Sequence, residues 1–480
     1  MSGKGKYLTV FALAMMNVAA VFSLRGLPML ADQGWTVIFY IFFATVLFLF
    51  PVSMVAAELA SGWPQSGGVF RWVKEAFGDR WGFVAIWIQW IQNVIWYPVQ
   101  LAFIAGCLAY LCFDSKLAAS KEFTLGVVVI VYWAATLLNF FGVGWAAKIA
   151  SLGVIIGTVI PAVGLVALSI YWLATGHSMA IDAVSTPVIP DLTKFSNVSF
   201  LGGIVLLFAG MEVCAVHVQE LKNPGRDYLR SLIIAMIVIV LVAFLGSFAV
   251  AVVVPAKGLS LTSGVLQCFN DAVGNCKYLH EYIGAIGLPW LLAILGGMIA
   301  FSATASVIAW LAGPSKGLLA TREYGCIPPF MQKVNKRGVQ KNILLLQGAM
   351  VTILGFVYVI MPNVGSAFVL LATLASMLYL IMYLFMYAAA IKLRISQPDV
   401  PRSFKVPGGL PGMIFFSGIG ILAVLFAIVV SWVPPKNLSV GTPATYVLVL
   451  IIGVVVLGGA PLLIYACRKP HWISKDTQEN

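Results

Sequence analysis

An arginine and a glutamate stand where the surrounding sequence has little place for charge. Arg25 interrupts Val21-Phe22-Ser23-Leu24-Arg25-Gly26-Leu27-Pro28, and Glu212 interrupts Leu206-Leu207-Phe208-Ala209-Gly210-Met211-Glu212-Val213, each inside a long apolar run. An arginine in mid-bilayer costs roughly 2.5–3.5 kcal/mol on insertion scales, so it must face protein or water and is a functional candidate. Its planar fork matches a carboxylate. For Glu212 three roles are open: binding a substrate ammonium, carrying a proton, or pairing with Arg25 when the site is empty. Each residue also has a plain structural reading. Arg25 could end a span running from about Tyr7 and snorkel to the interface, and Glu212 could satisfy freed backbone N–H groups.

Both stretches carry backbone breakers. Pro28 has no N–H and disfavours helical geometry at Leu27, while Gly26 and Gly210 tolerate almost any backbone angle. Irregular backbone at this depth survives only where it is buried in protein or lines a cavity. The half-helix ends so created offer open N–H groups and positive dipole to a carboxylate.

Three helical faces are able to complete such a site. Gln89, Asn93, Trp96 and Gln100 recur at steps of four, three and four, as do Ser302, Ser306 and Trp310, and Ser376, Tyr379, Tyr383 and Tyr387, at four- and three-residue steps. Polar stripes often only join helices, and aromatic stripes often only pack. For Asn93, lining a site and gluing helices are equally open readings.

The elements that position these residues follow from composition. Of 480 residues 61% are hydrophobic and 10% charged, and mean hydropathy is +0.99. This is an all-α polytopic membrane protein with about twelve expected transmembrane helices. The first and sixth spans are interrupted and each opens a set of five, the pattern of inverted repeats with a binding site between them. The expected organisation is 1–175 for a first repeat, 176–393 for a second, and 394–480 for two further helices and a short tail.

The net charge of +12 reports topology, not a nucleic-acid partner. With a cytoplasmic amino terminus, most Lys and Arg fall in cytoplasmic loops, as the positive-inside bias requires, and both termini are expected in the cytoplasm. Val69 to Phe77 reads as an amphipathic cytoplasmic helix, Pro161 as a kink in the fifth span, and 316–342 as the longest inside loop, holding one or two short helices. The first apolar run lacks a convincing cleavage site and is expected to stay as an anchor. Seven cysteines show no zinc-type spacing; Cys268 and Cys276 share an outside loop, where a disulfide is open. No metalloprotease, nucleotide-binding or paired-aspartate motif occurs, so no enzyme activity and no cofactor is expected.

The chain resembles the amino acid-polyamine-organocation (APC) superfamily, and within it the glutamate/GABA antiporter branch. The resemblance rests on Pro64-x-Ser66-Gly67-Gly68-Val69-Phe70-x-Trp72-Val73 with Phe77-Gly78, on Gly210-x-Glu212 followed by the run from His217 to Tyr228, on Gly313-Pro314-Ser315-Lys316-Gly317, and on Phe404-x-Val406-Pro407-Gly408-Gly409. It covers about 7 to 467. It implies a LeuT-type fold of five plus five inverted repeats with two extra helices, and exchange of amino acids for amines. By motif it places Ser23, Leu24, Arg25 and Gly26 of the first helix, Asn93 of the third, Gly210, Met211 and Glu212 of the sixth, Trp310 of the eighth, and Tyr379 and Tyr383 of the tenth at the substrate. A bacterial member of the branch has tyrosine in place of Arg25 and glutamate in place of Ser306, so its substrate pattern does not carry over. It also has a carboxy-terminal plug; this chain ends about a dozen residues past its last span, which argues against plug-type pH gating.

Trading a carboxylate for Ser306 and gaining Arg25 favours a carboxylate-rich ligand. The leading expectation is exchange of an acidic or neutral amino acid such as glutamate for its amine product such as GABA, in a bacterial inner membrane. Expected partners are these small molecules and membrane lipid, with a homodimer left open. The alternatives are another amino acid with its amine, such as tyrosine and tyramine, proton-coupled uptake, or a non-transporting amino acid sensor.

Overall fold

The structure, a computed structural model, describes residues 9–64, 67–141, 153, 155–181, 187–194, 198–215, 221–435 and 442–474. Regular structure among them is helical. Among these described residues ten helices are long and apolar enough to cross a membrane, so this is a polytopic all-α membrane protein. The first and sixth expected spans are not among the ten, because each is broken into pieces too short to cross alone. The figure of about twelve is therefore not counted directly.

The first span consists of α1 (Val10–Val21), a 3₁₀ turn (Leu24–Gly26) and α2 (Leu27–Ala31). The break lies earlier than the sequence suggests. Phe22 and Ser23 are extended, at φ −79°, ψ 131° and φ −144°, ψ 136°, and the Arg25 N–H donates to Ser23 Oγ at 3.3 Å. Leu27 is helical, at φ −60°, ψ −44°, contrary to the expectation from Pro28. Pro28 opens α2, where its missing N–H has no intrahelical partner to lose.

The second span runs from α3 (Val37–Phe42) through a π-helical stretch (Phe43–Leu49) into α4 (Phe50–Gly62). The amphipathic α5 (Val69–Phe77) forms where expected, burying Phe70, Trp72 and Val73. The third and fourth spans are α6 (Asp79–Leu111) and α7 (Lys121–Asn139). In the fifth, a π turn (Ile155–Val159) leads into α8 (Ile160–Ala174), with Pro161 in its first turn. Lys148 and His217 to Glu220 lie outside the described residues.

The sixth span is α9 (Leu201–Leu207) and α10 (Met211–Ala215), separated at Phe208, Ala209 and Gly210. Gly210 has φ +123°, a conformation that side chains resist, so here glycine is required by the backbone itself. The seventh, α11 (Pro224–Val253), is capped by the matching motif: Asn223 N–H donates to Asp227 Oδ2 at 3.2 Å, and Tyr228 OH donates to the Ser53 carbonyl at 3.1 Å. That part of the motif holds the fold together.

Between the seventh and eighth spans the expected loop contains a helix, α12 (Gly264–Asn275). Cys268 and Cys276 are both free. Eight residues of helix rise about 12 Å, beyond the roughly 7 Å Cα separation that a disulfide can bridge. The Cys268 thiol is pushed up in pKa by burial. The eighth span, α13 (Lys277–Ala320), is bent at Gly284 and continues through Pro314 to Ala320, so Lys316 belongs to the helix and not to the loop. The rest are α14 (Lys341–Gly355) and α15 (Val357–Ile360), α16 (Val364–Ser396), α17 (Gly409–Ser431) and α18 (Pro443–Ala466). Burial of the apolar stretch is 83% for α16 and 78% for α6 but 11% for α18, so the first two form the axis and the last faces outward.

Candidate functional site

The two interruptions pack on each other. A Cβ on Gly26 would stand 2.7 Å from Leu207 Cδ1, at the last residue of α9. Gly26 itself is right-handed, at φ −77°, ψ −21°, so its value lies in allowing this approach and not in backbone freedom. The contact sets the unwound part of the first span beside the break in the sixth.

Arg25 is 4% exposed, yet its Nε has no hydrogen-bond partner. Its guanidinium carbon lies 6.0 Å from the centre of the Phe368 ring. No ion pair reaches it among the described residues. Glu212, 2% exposed, is likewise without a cation there and is held by neutral donors. Tyr379 OH donates to Oε1, Tyr383 OH donates to Oε2 at 2.7 Å, and Gln89 Nε2 lies 3.5 Å from Oε1. Tyr383 OH also accepts the Gly210 N–H at 3.2 Å, tying α16 to the point where the sixth span unwinds.

Arg25 and Glu212 line adjoining cavities. Arg25 faces one of about 60 Å³ with Asn93, Trp96 and Tyr379, and Glu212 faces one of about 700 Å³ with Gln89 and Leu24. Phe22, Ser23, Ser306 and Trp310 line both, so the two are lobes around one shared wall. Of the three roles open for Glu212, pairing with Arg25 is not formed: no ion pair joins them, and Tyr379, which donates to Glu212, also lines the Arg25 cavity. Of the residues expected at the substrate, Ser23, Leu24, Arg25, Asn93, Glu212, Ser306, Trp310 and Tyr379 line these cavities. Gly26, Gly210, Met211 and Tyr383 do not.

Sequence reasoning left out Phe22, Gln92 and Leu207, which also line them. Phe22 and Leu207 carried no polar signal, and Gln92 falls off the stripe of Gln89, Asn93 and Trp96. The large cavity continues to Pro64, Gly67, Gly68, Trp72, Lys316 and Arg322, at the end of the bundle that carries the basic loops. There α5 closes against the 3₁₀ turn Thr321–Tyr324 that follows α13, with Lys74 Nζ 4.3 Å from the centre of the Tyr324 ring.

This arrangement can hold a small zwitterion or a singly charged amine. A buried guanidinium and a buried carboxylate without counter-ions are costly, and a ligand carrying both charges would relieve that cost. Comparison with known proteins agrees in kind. An uncharacterized transporter of Legionella pneumophila is 37% identical over 463 residues, 96% of this chain and 97% of the relative. Two glutamate/gamma-aminobutyrate antiporters of Lactococcus lactis are 30% and 29% identical over 463 residues, each over 96% of this chain and 90% of the relative. These relatives are transporters and not enzymes. With the family model for amino acid permeases matching residues 7–457, the chain belongs to the amino acid permease family.

Proposed function

We propose that this permease is an antiporter, exchanging an acidic or neutral amino acid of glutamate-like size for its decarboxylated amine by alternating access. The observation that carries this reading is Arg25: a buried guanidinium, unpaired among the described residues, faces a cavity next to a carboxylate that also lacks a cation. Arg25 takes a carboxylate of the amino acid, and Glu212 senses the ammonium common to amino acid and amine. The similarity to glutamate/gamma-aminobutyrate antiporters supports the same exchange. The two broken spans support an inverted-repeat organisation, 1–175 and 176–393. The clustered basic residues support a cytoplasmic placement of both termini and of the open end of the large cavity. The aromatic walls Phe22, Trp96 and Trp310 favour, as a second reading, an aromatic amino acid with its amine.

Counterflow in proteoliposomes tests this. Vesicles loaded with amine should accumulate labelled amino acid, and empty vesicles should not. Arg25→Ala should reduce amino acid exchange more than 100-fold, the scale expected when a desolvated carboxylate loses its charged partner. Unchanged affinity in that variant would refute the role of Arg25, and equal uptake into empty vesicles would refute exchange.

A further inference from the structure

The large cavity has an arm between α6, the π turn before α8, and α13. The helices α6 and α13 meet at both ends of this stretch. A Cβ on Gly296 would lie 2.6 Å from the Cys107 carbonyl oxygen, and the Trp96 and Trp310 rings are 6.2 Å apart. Between these contacts Gln100 and Phe103 line the cavity from one side and Ile299 and Ser302 from the other. The third wall is the π turn, where a Cβ on Gly157 would fall 2.0 Å from the Met298 carbonyl oxygen. That approach brings Thr158 Oγ1 to 2.9 Å from Ser302 Oγ. Single π turns inside helices recur at functional sites.

None of the residues lining this arm ionises. Gln100 is 1% exposed and its Oε1 has no hydrogen-bond partner. Leaving a buried amide oxygen unpaired costs about 1–3 kcal/mol. In the hydroxyl pair one O–H donates to the other, which leaves the second O–H and further lone pairs for a ligand. The arm thus offers acceptor and donor together, without charge. An ionised carboxylate brings acceptors only: it can take the free O–H but has no donor for Gln100 Oε1, and one hydroxyl is a thin return for desolvating a full charge. A carboxamide brings both functions and matches the Gln100 amide in either of its orientations.

We infer that this arm is the subsite for the ligand's side chain, and that Gln100, Thr158 and Ser302 select a neutral end group with both donor and acceptor, of carboxamide type, over an ionised carboxylate. The inference rests on the exchange reading above. It narrows the acidic-or-neutral choice to neutral and leaves the main-chain carboxylate to Arg25.

The probes are glutamine, glutamate and methionine, three amino acids of similar length, scored by thermal stabilisation of the purified full chain and as competitors in counterflow. The wild type should bind glutamine most tightly. Gln100→Leu should weaken glutamine about tenfold while methionine binds as well or better, which also shows that the variant is folded. Thr158→Val should act in the same direction by a few fold and carries the test if Gln100→Leu does not fold. Parallel changes for all three probes, glutamate binding as tightly as glutamine in the wild type, or no stabilisation by any probe would overturn the subsite. Binding in the expected order without counterflow against an amine would leave the subsite standing and overturn the exchange reading instead.

Discussion

Glu58 and Glu212 are buried to the same degree, each 2% exposed, and are held in opposite ways. Glu58, on α4, pairs with Arg394 of α16 and with Arg402 Nε at 3.3 Å, and its second oxygen accepts the Val406 N–H at 2.7 Å. Arg402 in turn donates to the carbonyls of Leu393, Gln397, Pro398 and Val400 and lies 5.1 Å from the centre of the Trp63 ring. Every partner there is part of the chain, and the group closes the second span onto the connection after the tenth. Glu212 has phenols and an amide and no cation among the described residues. A carboxylate whose charge is balanced internally serves the fold. One supplied with neutral donors at a cavity wall is left able to respond to a cation from outside.

That contrast can be broken by substitution. The largest effect is expected at Glu58. Glu58→Gln leaves two guanidinium groups without their counter-ion and should lower stability by about 3–5 kcal/mol, read as a fall in Tm of the detergent-purified protein. Glu212→Gln should change stability by less than about 1 kcal/mol, since its neighbours are neutral and a phenol can accept as well as donate, yet amine competition should weaken more than tenfold. A Tm loss as large as that of Glu58→Gln would place Glu212 among the structural residues.

A smaller effect is expected at Tyr383, which lines neither of the two cavities. Tyr383→Phe removes one donor from Glu212 and the acceptor of the Gly210 N–H, and should slow exchange several fold with little change in competitor affinity, since a buried hydrogen bond contributes about 1 kcal/mol. A pure affinity loss would instead put the phenol on the ligand. The smallest is Ser61→Ala beside the Glu58 cluster, where Ser61 Oγ donates to the Phe404 carbonyl at 2.9 Å. A loss of about 1 kcal/mol in stability with normal exchange is expected. Impaired exchange at full stability would tie that cluster to transport.

Much of the site was legible because charge inside an apolar run is costly and therefore conspicuous. Arg25 and Glu212 stood out in this way, and the polar stripes on α6 and α13 pointed to Asn93 and Trp310. Glu58 also sits in an apolar run, but its partners Arg394 and Arg402 lie more than 330 positions away, and only folding shows that its charge is balanced. Backbone detail was less legible. Pro28 and Gly26 marked the right neighbourhood for the wrong reasons: the chain unwinds at Phe22 and Ser23, where Ser23 caps the turn that follows through its hydroxyl, a signal weaker than proline or glycine. The helix α12 lies in a connection whose sequence offered its two cysteines as the conspicuous feature.

The seat of Gly26 on Leu207 has a mechanical consequence. With no side chain on the glycine, the backbone of the first span rests directly on the Leu207 side chain, so a tilt of either interrupted helix presses on its neighbour. A methyl group at position 26 would act as a shim against Leu207, prising the two spans apart at the point where both are interrupted.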